Sequence, residues 1–89
     1  MKPLLDVLII LDALEKEGSF AAASAKLFKT PSALSYTVHK LESDLNIQIL
    51  DRSGHRAKFT RTGQMLLEKG REVLHTVREL EKQAIKLQD

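Results

Sequence analysis

Thr30-Pro31-Ser32-Ala33-Leu34-Ser35-Tyr36-Thr37-Val38-His39-Lys40-Leu41-Glu42-Ser43-Asp44-Leu45 is the stretch on which the fold turns. Thr30 offers an N-cap hydroxyl, and Pro31 takes the first helical position, where a missing N–H costs nothing, so the start of a helix is sharply defined. Leu34, Val38, Leu41 and Leu45 then recur at i, i+4, i+7 and i+11 as a single core stripe. Nearly opposite lie Ser32, Tyr36, His39 and Ser43, flanked by Ser35 and Lys40, while the long acidic Glu42 and Asp44 are kept to the far end. Such a helix buries one face and leaves a polar face for water or a partner.

Upstream, the apolar residues Leu4, Val7, Leu8, Ile10, Leu11 and Leu14 share one broad arc at the helical period, which predicts a first helix with a core face. Leu5, Ile9 and Ala13 fall on its other side and need a second cover, either another helix of the chain or a partner subunit. Gly18 is a stop signal and Ser19 a cap for a very short second helix, whose buried line is Phe20, Ala23 and Leu27. The small residues 21–25 let a neighbouring backbone approach closely. Leu27-Phe28-Lys29 makes a brief turn into the helix that opens at Thr30.

Downstream, Ile47, Ile49 and Leu50, then Ala57-Lys58-Phe59, read as two short strands around the Gly-containing turn Asp51-Arg52-Ser53-Gly54-His55-Arg56, a small hairpin with a basic tip. Thr60 caps a last helix that runs to the end, roughly 40 Å at 1.5 Å per residue. Along it Leu66, Gly70, Val73, Val77, Leu80, Ala84 and Leu87 alternate four-three spacings over three heptads, the pattern of a helix-pairing seam. Gly70 permits close backbone approach, and the first helix, with Leu5 and Ile9, is the natural element to share the contact.

With 89 residues the chain makes one small domain, burying roughly 60% of its unfolded surface. Charged residues at 29% beside 43% hydrophobic ones argue against disorder, and the longest apolar run, residues 7–11, is far short of the ~20 of a membrane span. No cysteine is present, which removes disulfides, thiolate nucleophiles and Cys-rich zinc sites and fits a reducing cytoplasm. Met1-Lys2-Pro3 leads straight into the amphipathic pattern without a signal-peptide cleavage site, so export is not expected. His39, His55 and His75 have no i, i+4 partner and no carboxylate cluster, so no metal or cofactor is expected. No Gly-x-Ser-x-Gly elbow or phosphate-cradling loop supports catalysis, and so small a domain has little room for a small-molecule pocket. Net charge is only +2, but the excess sits in residues 29–63, where Lys29, Lys40, Arg52, Arg56, Lys58 and Arg61 face only Glu42, Asp44 and Asp51.

Helix, short helix, tight turn, helix with a polar outward face, basic hairpin and long helix form the order of a winged helix-turn-helix, mainly α, followed by a dimerisation helix. The division is residues 1–60 for the winged unit, with the helix-turn-helix at about 19–38, and 61–89 for the pairing helix. On double-stranded DNA, backbone N–H groups near Ser19 and Thr30 suit phosphates, and the outward face of the third helix suits a major groove. Hydroxyls of Ser32, Ser35 and Thr37 can bond base edges or phosphates, and Ala33 can touch a thymine methyl. Lys29, Pro31, Tyr36, His39 and Lys40 complete that face, and Arg52, His55, Arg56 and Lys58 reach flanking backbone or a minor groove. The competing reading is a helical dimerisation or adaptor module with an incidental basic patch; binding to mixed duplex DNA at low salt separates the two.

The sequence resembles the N-terminal domain of LysR-type transcriptional regulators from about Leu4 through Leu80. The resemblance rests on Gly18-Ser19-Phe20 with Ala22-Ala23, Leu27, Ser32-Ala33-Leu34-Ser35 leading to Lys40-Leu41-Glu42, Leu50-Asp51-Arg52, and Thr60 to Gly63 opening the long helix. It implies a bacterial DNA-binding regulator whose long helix pairs antiparallel with a partner's in a homodimer. It also implies a larger ligand-sensing domain that this chain lacks. Where the family often has Gln-Pro or Gln-Ser before Ala-Leu-Ser, this chain has Pro31-Ser32, without an amide to bond adenine bidentately. Where Arg-Gln often follows Ser35, it has Tyr36-Thr37, which lowers the charge of the reading face.

Overall fold

The computed structural model describes residues 3–51 and 58–88. Among them the order is α1 (Leu4–Glu17), α2 (Phe20–Lys26), α3 (Pro31–Leu45), β1 (Leu50–Asp51), β2 (Lys58–Phe59) and α4 (Arg61–Gln88), the mainly helical architecture expected. Each boundary has a local cause. Gly18 closes α1 in the left-handed region at φ 88°, donating its N–H to the Leu14 carbonyl at 2.9 Å. The Ser19 hydroxyl accepts from the Ala22 N–H at 3.1 Å and opens α2. Thr30 does the same for α3, accepting from the Ala33 N–H at 3.1 Å with Pro31 next in line. Asn46, at φ 54°, ends α3.

The core lies where α1, α2 and α3 meet. Val7, Leu11, Leu34, Val38, Leu41 and Ile49 are fully buried there, each stabilising the fold by about 1.5–3 kcal/mol relative to exposure. Ala23 is buried with them, and Phe20 and Leu27 pack at its margin. The wing is shorter than the sequence suggested: β1 and β2 pair antiparallel with Leu50 opposite Phe59 and Asp51 opposite Lys58. The hairpin tip, with Arg52, His55 and Arg56, lies outside the described residues.

Four positions differ from the helical-wheel reading. Leu4 and Leu45, placed in the core stripes, are exposed, because each is the terminal residue of its helix and the layer it faces has run out. Ala13, placed on the uncovered side of α1, is buried and belongs to the core cluster, because it lies on the Ile10 flank of α1, which α2 and α3 cover. Glu42, placed on the polar face, is 8% exposed.

The α4 helix carries two apolar rows. Gly63, Leu67, Gly70 and Leu74 face inward and are buried, and Leu66 packs against the core margin. Gly70 lets α4 approach α1 closely, since a Cβ there would come within 2.6 Å of the Leu8 Cδ2 unless that side chain shifted. The partner of α4 on α1 is thus Leu8, while Leu5 and Ile9 remain exposed. The same junction holds an ion pair: Arg71 Nε donates to Asp12 Oδ1 at 2.8 Å, and Lys16 Nζ lies 3.1 Å from Oδ2. Burial pushes the Asp12 carboxyl up, but the hydrogen bonds and charges of Arg71 and Lys16 outweigh it and hold it below its ordinary value.

Candidate nucleic-acid interface

The α3 helix is seated by its buried stripe, so its opposite face is presented as a fixed surface. Ser32, Ala33, Tyr36, His39 and Lys40 are exposed along it, and Ser35 and Thr37 are half-buried at its flanks. Tyr36 is the largest side chain on this face, 68% exposed. The Thr37 hydroxyl is turned back onto its own helix, donating to the Ala33 carbonyl at 3.0 Å. Thr30 Oγ1 lies 3.3 Å from Ser32 Oγ, so the hydroxyls at the helix start form one cluster. Pro31 and Lys29 border that cluster and are exposed. The cap duties of Ser19 and Thr30 occupy one lone pair of each hydroxyl. Lys40 Nζ sits 3.8 Å from Asp44 Oδ1, a solvent-screened pair that leaves the cation available to a stronger anion.

The wing joins this face through its base. Lys58 is exposed on β2, opposite Asp51. Glu42 holds the segment that leads into β1: its Oε2 accepts from the Ile49 N–H at 2.7 Å and the Leu50 N–H at 3.2 Å. These buried backbone donors need an acceptor, which the α3 carboxylate supplies. Oε1 of Glu42 is 3.4 Å from Nδ1 of His39. Thr60 locks the other end, its Oγ1 donating to the Gln48 carbonyl at 2.6 Å and accepting from the Gly63 N–H at 3.0 Å. Recognition-type helix, wing base and α4 are therefore tied by named hydrogen bonds. Glu42 was the residue that pattern reading missed; the signal was two apolar residues, Ile49 and Leu50, entering a sheet with only one neighbouring strand.

Three helices with a buried-stripe third helix, a two-stranded wing and a long fourth helix define a winged helix-turn-helix domain. The sequence pattern of the family described as "Bacterial regulatory helix-turn-helix protein, lysR family" matches residues 5–64, and the chain belongs to that family. Its fold is the helix-turn-helix domain of that regulator family. The Escherichia coli (strain K12) protein named "Uncharacterized HTH-type transcriptional regulator YeeY" is 93% identical over 89 residues, which is all of this chain and 29% of that protein. The "Probable HTH-type transcriptional regulator YhaJ" of the same organism is 53% identical over 76 residues, 85% of this chain and 26% of that protein. The chain thus spans less than a third of the length of these curated relatives. Among solved structures, the BenM_DBD complex with catB site 1 DNA superposes with a TM-score of 0.85 at 28% identity over 93% of each chain. The BenM_DBD complex with benA site 1 DNA gives 0.84 at 27% identity, again over 93% of each.

Proposed function

We propose that this chain binds operator DNA as a homodimer, with residues 1–60 reading the duplex and residues 61–89 pairing the two copies. The outward face of α3 enters a major groove, Lys58 and the basic hairpin tip meet the flanking backbone or minor groove, and no chemistry is catalysed. One observation carries the reading: Ser32, Ala33, Tyr36 and His39 stand exposed directly over a stripe, Leu34, Val38 and Leu41, that has no exposure at all. A helix so anchored presents side chains without reorganisation, which is what base-edge contact demands. The BenM_DBD complexes with DNA, which share the fold, support it. The expected partner surface is the outer row of α4, Val73, Val77, Leu80, Ala84 and Leu87, continued by Leu5 and Ile9 of α1. Leu66 and Gly70 contribute to pairing only at its edge, since they already pack on their own chain.

Tyr36 tests the groove assignment. A tyrosine can cover a thymine methyl or bond one phosphate, but it cannot grip guanine O6 and N7 together as arginine does. Selecting duplexes from a random library with the native chain and with Tyr36→Arg is expected to add a G·C preference at one position per half-site. The gain corresponds to about 1–3 kcal/mol. Identical preferences at every position would remove α3 from the base-reading role, and failure of the native chain to bind any duplex at low salt would favour a helical adaptor module.

A further inference from the structure

His39 and Glu42 form an arrangement that DNA reading by α3 does not itself require. Glu42 is one of only two buried polar side chains among the described residues, the other being Ser24. Its Oε2 is held by the Ile49 and Leu50 N–H groups, so the carboxylate cannot swing away, and its Oε1 faces Nδ1 of His39 at 3.4 Å. The His39 side chain is 68% exposed, one helical turn beyond Tyr36 on the outward face, so its second nitrogen opens toward whatever that face meets.

A neutral imidazole donates from one nitrogen and accepts at the other. The nearby Glu42 oxygen favours the neutral tautomer with its proton on Nδ1, and in that form His39 offers an oncoming phosphate only the lone pair of Nε2, which repels it. The imidazolium donates from both nitrogens and carries the charge that two flanking anions favour. The other residues lining the cleft that His39 and Glu42 share, Ser43, Ile47, Gln48 and Leu50, are uncharged, and the neighbouring Lys40 pairs with Asp44. Among the described residues, Glu42 is the acidic group in ion-pair range of His39.

Resting on the DNA-binding reading above, we propose that His39 is a proton-linked phosphate ligand: docking on DNA draws one proton onto its ring, which then bridges the Glu42 carboxylate and a backbone phosphate oxygen. The proton comes from buffer, bonds at Nε2 and leaves again when the phosphate departs. Affinity through this residue therefore rises as the pH falls, because the DNA-bound form carries one proton more than the free form.

The test uses the 89-residue chain and a mixed-sequence duplex of roughly 40 base pairs at one fixed low salt concentration. Affinities of the native chain, His39→Gln and His39→Lys are measured at pH 6, 7 and 8, with calorimetry in two buffers of different ionisation enthalpy to count protons taken up. His55 and His75 are present in all three and cancel in the comparison. The native chain is expected to bind about threefold to tenfold more tightly at pH 6 than at pH 8, beyond any change in His39→Gln. His39→Lys is expected to bind well with the flatter profile, because its charge is permanent. Proton uptake near pH 7.5 should fall by up to one per site in both variants. Native and His39→Gln chains with the same pH profile and proton count would overturn the assignment while leaving DNA binding intact. A native chain that binds no duplex at any pH would overturn both. The exposed ring makes His39→Gln a mild change to the fold.

Discussion

Phe28 occupies the turn between α2 and α3 at φ 58°, a left-handed conformation that L-residues with large side chains adopt at a cost of roughly 1–2 kcal/mol. Its ring offsets none of that cost within the chain, being 95% exposed. The backbone there is nonetheless fixed, because the Lys29 N–H donates to the Ser24 carbonyl at 2.9 Å and the Phe28 N–H to the Ala25 carbonyl at 3.3 Å. Phe28→Gly keeps both bonds and removes the Cβ conflict, against a larger chain entropy in the unfolded state. Urea unfolding is expected to show a gain of about 0.5–1 kcal/mol. A loss of stability would mean that the ring makes a contact within the fold. This positive φ was invisible in the sequence, where glycine or asparagine ordinarily marks such a turn; Asn46, at φ 54°, does carry the usual mark and was readable in principle.

At the level of elements, the caps and the α3 stripe were legible because both are local: Ser19, Thr30 and Thr60 each announce a helix that begins at the next residue or close to it. What the sequence hid were features that depend on a second element. Glu42 reads as a surface acid until the unpaired strand donors beside it are known, and Leu67 and Leu74 are masked by the more regular four-three row a step away on α4. The two glycines of α4 separate these kinds of contact. A Cβ at Gly63 would collide with the carbonyl oxygen of Ile49, which is backbone tied to Glu42 and Thr60 and cannot yield. A Cβ at Gly70 meets only the end of the Leu8 side chain, which can rotate. Gly63→Ala is therefore expected to lose about 3 kcal/mol from overpacking. Gly70→Ala should lose no more than about 1 kcal/mol, since alanine's helix propensity returns a similar amount. Denaturant midpoints of the two variants check this; equal losses would mean that the α4 start is as compliant as its middle.

The whole molecule measures 51 × 27 × 21 Å, the long dimension reflecting an α4 that outruns its own core. Its inward row ends at Leu74, and beyond that point Leu80 and Leu87 of the outward row are exposed, Leu80 by 60%, with Ile85 exposed on another side of the helix. A second copy laid along the projecting helix would cover such an apolar row. Leu80→Lys places a charge in the middle of that row and is expected to convert a dimer to a monomer in sedimentation, because an unpaired ammonium in an apolar seam costs several kcal/mol. Operator affinity should drop with it, as two half-sites about 34 Å apart would no longer be read by linked helices. An unchanged dimer would show that the outer row of α4 is not the pairing surface.

One consequence follows from the two rows being carried on a single unbroken rod. The row that grips the chain's own core and the row offered outward differ only in where they fall around one helix, so their mutual angle is a matter of counting: each residue turns the helix by about 100° and advances it 1.5 Å. Length between Leu74 and Val77 is thus an angular variable. Adding or deleting one residue there hardly alters the reach of the molecule, yet it swings the outward row to a different side of the domain, whereas seven added residues bring it nearly back into phase and shift it about 10 Å along the axis. Spacing and orientation of two linked domains would be set by separate dials, one turned by single residues and the other by whole heptads.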